Sequence, residues 1–181
     1  MKLIILDRDG VINHDRDDFV KSAAEWVPIP NSLEAIALLN HAGWRVVIAS
    51  NQSGIGRGFF GMAELNAMHG KLHRLLASVG GRVDGIFFCP HTADMKCECR
   101  KPRPGMYRDI AQRFDVRLED TPVVGDSLRD LQAAEAVGAL PILVCTGKGE
   151  RTLAAGGLPK HAHVCDDLMD AALYLIGREE D

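Results

Sequence analysis

No stretch of this 181-residue chain approaches the roughly 20 consecutive apolar residues of a membrane span. The apolar run at its start is short and lacks a cleavage region, so no signal peptide is expected. A surplus of basic charge is missing too. The 21 Lys and Arg against 25 Asp and Glu leave a formal charge of -4, which argues against a nucleic-acid partner or a polybasic membrane anchor. The five cysteines are an odd number and crowd toward one stretch, which makes poor material for a disulfide framework and good material for a metal. Internal repeats, low-complexity tracts and interdomain linkers are also lacking. These absences predict a soluble, monomeric, cytoplasmic protein in a reducing compartment, folded as a single domain over residues 1–181. What the chain does have is ordinary globular composition, 46% hydrophobic and 25% charged, with ample length for a sizeable core.

The chain is organised around residues 3 to 11, Leu-Ile-Ile-Leu-Asp-Arg-Asp-Gly-Val. Leu3 to Leu6 is too short for a helix and reads as a strand covered on both faces. It ends in Asp7 and Asp9, spaced i, i+2, then Gly10. At the carboxyl edge of an open α/β sheet, this is where ligands bind. Two neighbouring carboxylates repel unless a cation or shared proton holds them, and Mg2+ prefers such oxygen ligands.

Strand-like and helix-like segments then alternate. A polar loop from Asn13 to Lys21 closes at Pro28 and Pro30. Asn31-Ser-Leu-Glu34 reads as a capping box for a helix burying Leu33, Ile36 and Leu39, ended by Gly43. A second strand, 45–49, runs into Ser50-Asn51-Gln52-Ser53, and Gly54, Gly56, Gly58 and Gly61 suggest a pliable loop. The next helix carries Leu65, Met68, Leu72, Leu75, Leu76 and Val79 on one face. A third strand at 85–88 leads into Cys89, and a helix after Pro102 and Pro104 spaces Met106, Ile110 and Phe114 by four. Strand 122–125 ends in Asp126, with Ser127 as cap for a helix burying Leu128, Leu131 and Val137. Strands at 141–144 and 163–165 follow, then a terminal helix through Leu168, Ala172, Leu173 and Ile176. Repeated strand–helix units imply right-handed crossovers and a mostly parallel sheet.

That topology lets strand ends far apart in sequence converge. Asp7 and Asp126 can hold Mg2+, while the Ser50 hydroxyl, the Asn51 backbone N–H and the Lys101 ammonium can take phosphoryl oxygens. Asp7 can act as a carboxylate nucleophile, and Asp9 can protonate a leaving alkoxide and then deprotonate water. Taken singly, Ser50 reads as a strand-end cap, Lys101 as a solvated lysine and Asp126 as a helix-flanking acid. Asp130 is either a surface acid or a partner of Lys101 or the metal. Cys89-Pro-His91-x5-Cys97-x-Cys99 packs three thiolates and one imidazole into eleven residues, the closed four-ligand set of a structural Zn2+. It directly precedes Arg100-Lys101, so the metal would fix the loop that presents the lysine. Cys145 and Cys165 read as buried thiols, and His14, His69, His73, His161 and His163 as loop or surface residues.

Asp7-x-Asp9-Gly10-Val11, Ser50 after an apolar strand, Lys101, and Gly125-Asp126-Ser127-x-x-Asp130 occur in this order. In these motifs the chain resembles the haloacid dehalogenase-like phosphohydrolases over about residues 1 to 145. The resemblance implies a Rossmann-like sheet with helices on both faces, Asp7 as nucleophile and Asp9 as acid/base. It also implies Mg2+ on Asp7, Asp126 and the Asp9 carbonyl. The gaps between elements leave no room for the large cap domain that many members carry. Within the family, the zinc stretch with Arg100-Lys101-Pro-x-Pro-Gly-Met is similar to the heptose 1,7-bisphosphate 7-phosphatases of cell-envelope lipopolysaccharide synthesis and to the histidinol-phosphate phosphatases. Asn51-Gln52-Ser53-Gly54-Ile55-Gly56-Arg57-Gly58 is closer to the former. A bisphosphate brings a second dianion, which suits Ser53, Arg57 and Arg100; Asp15, Arg16 and Asp18 in the first loop, with Gln52, complete the expected substrate rim. The competing function from another class is a phosphate-receiving signalling domain. Asp9 counts against it, because an acid/base beside the nucleophile shortens the life of the phosphate.

Overall fold

The computed structural model describes residues 1–178. Its strands are β1 (Lys2–Leu6), β2 (Trp44–Asn51), β3 (Gly85–Cys89), β4 (Pro122–Gly125), β5 (Leu140–Val144) and β6 (His163–Cys165). Its helices are α1 (Ser32–His41), α2 (Ser53–Gly56), α3 (Met62–Ser78), α4 (Gly105–Phe114), α5 (Leu128–Glu135), α6 (Gly149–Ala155) and α7 (Leu168–Gly177). The strands form one sheet in the order β3-β2-β1-β4-β5-β6, and every pairing is parallel. The chain leaves β1 toward β2 and later returns on its other side as β4, so the topological switch lies between the two strands that end in Asp7 and Asp126.

Side-chain alternation along each strand decides how the sheet is covered. Ile4, Leu6, Val46, Ile48 and Val124 share one face and pack on α1, α3 and α7. Leu3, Ile5, Val47, Ala49 and Val123 share the other, against α4 and α5. Each such Val, Leu or Ile side chain contributes about 1.5–3 kcal/mol by leaving water. The long connections, 7–31 and 90–104, hold loops and one short 3-10 turn (Ala93–Met95) in place of any large cap. Among the described residues no helix is long and apolar enough to cross a membrane.

Several local expectations need correction. Asn31 does not cap α1 with its side chain: its backbone is left-handed, at φ 67°, and Ser32 instead donates to the Ile12 carbonyl at 2.6 Å. Part of the glycine-rich loop is the short helix α2, pinned where the Gly56 N–H donates to the Pro90 carbonyl at 2.9 Å. Ser127 is the N-cap residue of α5 as expected, and its N–H and hydroxyl both donate to the Asp130 carboxylate, at 3.1 and 2.8 Å. Leu173 is exposed; Ala171 and Leu175 fill the buried face of α7. Helix α6 was not expected at all.

Candidate active site and metal cluster

Over the ends of β1 and β4 opens a cavity of about 240 Å3, lined by Asp7, Asp9, Asp15, Arg16, Asp17, Phe19, Asn51, Ser53, Arg57, Arg100, Lys101, Asp126, Arg129 and Lys148. At its floor, the Asp7 N–H donates to the Val124 carbonyl at 2.9 Å and so continues the β1–β4 ladder past Leu6. The chain then turns at Gly10, φ 86°. A Cβ there would collide with the Asp126 carboxylate. Lys148 donates its N–H to that carboxylate at 2.9 Å and Thr152 its hydroxyl to the Asp126 carbonyl at 2.8 Å.

Oxygens of Asp7, Asp126 and Asp130 all lie within 4.8 Å of one another. Burial, opposed by Lys101, pushes Asp7 up to about 7. Burial and the Asp7 charge push Asp126 up to about 8. Two close carboxyls that burial and their mutual repulsion drive toward neutrality are what a divalent ion would relieve, so the Asp7–Asp126 pair fits magnesium. Asp130 is already satisfied: one oxygen meets Lys101 Nζ at 2.6 Å, the other accepts from Ser127. Lys101 is 1% exposed and also reaches Asp7 at 3.1 Å and the Ala49 carbonyl at 2.7 Å. Burial would depress its ammonium, but Asp130 and Asp7 outweigh that and hold it above its ordinary range. Of the two expectations for Asp130, the buried partner of Lys101 is the correct one.

Asp9 sits in a different environment. Its Oδ1 accepts from Arg8 Nε at 3.0 Å and Asn13 Nδ2 at 2.8 Å, and its Oδ2 from Gln52 Nε2 at 3.0 Å. Burial would raise this carboxyl, but the Arg8 charge and these donors outweigh it and hold it below its usual value. Asp7 and Asp9 thus share the cavity with opposite shifts.

At the rim, the Arg57 guanidinium lies over the Phe19 ring, 5.7 Å from its centre, and Phe19 tilts against Phe59 at 5.4 Å. Lys148 Nζ meets Asp15 at 3.4 Å across the mouth. Of the expected substrate residues, Asp15, Arg16, Asn51, Ser53, Arg57 and Arg100 line the cavity. Three do not. Ser50 is buried, its Oγ accepting from Gln52 Nε2 at 2.7 Å; Gln52 is spent on Ser50 and Asp9; and Asp18 is held by Arg16 and Lys21 at 3.0 and 3.2 Å. Asp17, an acid of the same first loop, lines it too, and Phe19, Arg129 and Lys148 line it without having been singled out. Arg129 lies inside the Asp126-to-Asp130 motif, and Lys148 between two glycines after a strand, which are the signals that could have found them. His69, read as a surface residue, is half-buried on α3 and faces Arg8.

The cysteine stretch folds back on itself. Cys89 ends β3, and its Sγ lies 2.9 Å from Cys99 Sγ, 3.5 Å from Cys97 Sγ and 3.5 Å from His91 Nδ1. Ligands around a tetrahedral Zn2+ stand roughly 3.5–3.8 Å apart, so the four donors fit a structural zinc with slight expansion. Burial would raise the Cys97 thiol, but the Arg100 N–H and neighbouring donors bring it down to about 6, while burial and the neighbouring thiols push Cys99 up and burial does the same to Cys89, as expected for close thiols that cannot all ionise without a cation. The cluster touches the cavity through its chain: Arg100 donates to the His91 carbonyl at 3.3 Å, and Asn51 exchanges two 3.1 Å hydrogen bonds with the Lys101 backbone.

An HAD-hydrolase-like family model matches residues 98–171. The chain is 61% identical over 176 residues to the D-glycero-beta-D-manno-heptose-1,7-bisphosphate 7-phosphatase of Bordetella bronchiseptica, covering 97% of this chain and 98% of that protein. It is 56% identical to the protein of the same name from Neisseria meningitidis serogroup A, covering 97% and 95%. Among solved structures it resembles the B. bronchiseptica D,D-heptose 1,7-bisphosphate phosphatase complexed with magnesium and phosphate, with a TM-score of 0.97 and 61% identity over 98% of this chain and 99% of that one. Likeness at this level and over this length decides membership: the chain belongs to the D-glycero-D-manno-heptose 1,7-bisphosphate 7-phosphatase family of haloacid dehalogenase-like hydrolases, and it is a phosphoric monoester hydrolase.

Proposed function

We propose that residues 1–181 are one phosphatase domain that removes the 7-phosphate of D-glycero-β-D-manno-heptose 1,7-bisphosphate through an aspartyl-phosphate on Asp7. The observation that carries this reading is the combination of two adjoining carboxyls that fit a divalent ion, Asp7 and Asp126, with a rim bearing Arg57, Arg100, Arg129 and Lys148. A substrate with two phosphates answers both halves. The names of the relatives support the heptose, and its beta anomer, over histidinol phosphate.

Asp7 and Asp126, with the Asp9 carbonyl, would hold magnesium, whose charge neutralises phosphoryl oxygens and favours the ionised, nucleophilic form of Asp7. Lys101 faces the same phosphoryl group and keeps Asp130 and Asp7 apart as charges. An Asp7 oxygen forms the new P–O bond as the bond to the sugar C7 oxygen breaks. The arriving phosphate adds negative charge beside Asp9 and raises its proton affinity, so Asp9 can give a proton to the departing alkoxide. Asp9 then takes a proton from water as that water attacks phosphorus and frees Asp7. Ser50 steadies Asp9 through Gln52, and Arg57, Arg100 and Lys148 receive the distal phosphate, with Asp15 and Arg16 shaping the sugar side and Asp18 holding Arg16 in place. Zinc on Cys89, His91, Cys97 and Cys99 would be structural. Thiolate ligands of this kind favour a reducing compartment, and we infer a cytoplasmic monomer.

Specificity constants for heptose bisphosphate and histidinol phosphate test the assignment. A preference for the bisphosphate is expected; a preference for histidinol phosphate would overturn it.

A further inference from the structure

Between the two catalytic aspartates stands Arg8, whose side chain is 0% exposed. One edge of its guanidinium, Nε and one terminal nitrogen, lies 3.0 and 2.9 Å from the same oxygen of Asp9. Its other terminal nitrogen lies 3.3 Å from His69 Nε2, on α3, 61 residues along the chain. A guanidinium has donors only, so His69 Nε2 must be the acceptor and Nδ1 must carry the ring proton. Burial, then the charges of Arg8 and His73, bring His69 down to about 4, which agrees with a neutral ring. Nothing in the reaction described so far uses His69, and it does not line the cavity.

We propose that His69 is a positioning residue: by accepting a hydrogen bond from Arg8 it fixes the guanidinium edge that aims Asp9 at the leaving oxygen and at water. The guanidinium is held at both ends, by Asp9 and by His69. Without the acceptor on α3, a buried guanidinium keeps only its Asp9 contacts and turns with them, leaving Asp9 anchored by the neutral amides of Asn13 and Gln52. Small misplacements of a catalytic group are costly because reactivity depends steeply on geometry. This inference rests on the acid/base reading of Asp9.

The test uses leaving groups. An alkoxide needs a proton as it departs and p-nitrophenolate does not, and kcat/KM reports the steps through phosphorylation of Asp7. His69→Leu should therefore lower kcat/KM for heptose bisphosphate by about tenfold and for p-nitrophenyl phosphate by less than about twofold, with the Ki of inorganic phosphate unchanged. His69→Gln, whose amide oxygen can replace Nε2 as acceptor, should recover most of the loss. If His69→Leu does not fold, His69→Phe supplies a ring without the acceptor. Equal losses on both substrates, or no rescue by Gln, would reduce His69 to a packing residue. Asp9→Asn separates the two readings. A selective loss there with none at His69 overturns this inference alone, whereas equal losses on both substrates in Asp9→Asn overturn the acid/base reading beneath it.

Discussion

The aspartate cavity and the cysteine–histidine loop both gather metal-ligating side chains, and they do so in opposite ways. Two acids of the cavity, Asp7 and Asp126, come from the ends of β1 and β4, with Asp130 of α5 buried behind them, and they meet only because the sheet is parallel and its strand order reverses between those two strands. All four donors of the loop come from residues 89–99, with Cys89 fixed by β3 and the rest by turns. The cavity keeps room for a substrate beside its carboxyls, while the loop's donors face one another and leave none. A centre that must react draws its groups from a rigid scaffold and stays open; a centre that must hold shape closes on itself.

Substitutions on each side sharpen that contrast. The largest effect is expected at Asp7: Asp7→Asn should lower multiple-turnover hydrolysis by roughly 10^4-fold or more, as loss of a nucleophile does, without unfolding the protein. Asp9→Asn should cost about 10^2–10^4-fold, the scale of acid–base catalysis, and should let some phosphoenzyme form and persist. Wild-type turnover in either variant would end the aspartyl-phosphate reading. Cys97→Ser should act less directly, lowering zinc content and melting temperature together because binding and local folding are linked, with kcat falling as the Arg100–Lys101 segment loosens. Wild-type protein prepared without chelator should retain at least about half an equivalent of zinc, since structural sites hold their metal tightly. If Cys97→Ser loses zinc yet keeps full activity, the loop and the cavity are independent. The smallest effect belongs to the rim: Arg57→Ala should lower kcat/KM for the bisphosphate by about tenfold, the worth of one charged hydrogen bond, and leave a monophosphate unchanged. Equal change on both substrates would remove Arg57 from the distal-phosphate site and leave that phosphate to Arg100, Arg129 and Lys148.

The same contrast explains what could be read in the sequence. That Cys89, His91, Cys97 and Cys99 come together was readable, because their spacing lies within one short stretch and tetrahedral coordination limits the alternatives. Strands were readable because both faces of the sheet are covered, which demands unbroken apolar runs such as Ile142–Val144. The motifs supplied Asp7, Lys101 and Asp126. Spacing did not reveal that Asp130 is buried against Lys101, that Ser50 turns inward to Gln52, or that His69 faces Arg8. Each depends on which side of a helix or strand meets a neighbour distant in sequence. Asn31 misled for a local reason: a polar residue before a helix suits a cap, but it also tolerates the left-handed backbone that the turn from Pro30 requires here.

Gly10 and Gly147 carry a consequence for how this protein can change. Both have positive φ, 86° and 56°, and a side chain on either would strike the same carboxylate, Asp126. The two loops are tied where Thr146 donates to the Gly10 carbonyl at 2.7 Å. Neither glycine can offset a substitution at the other, because Asp126 obstructs both and cannot move without giving up its place beside Asp7, and at Gly147 the Gly10 backbone, 2.5 Å from an added Cβ, obstructs as well. Evolutionary drift at this spot is therefore blocked from both directions at once, and variety in substrate must come from the outer loops, where Arg57 and Arg100 stand clear of that contact.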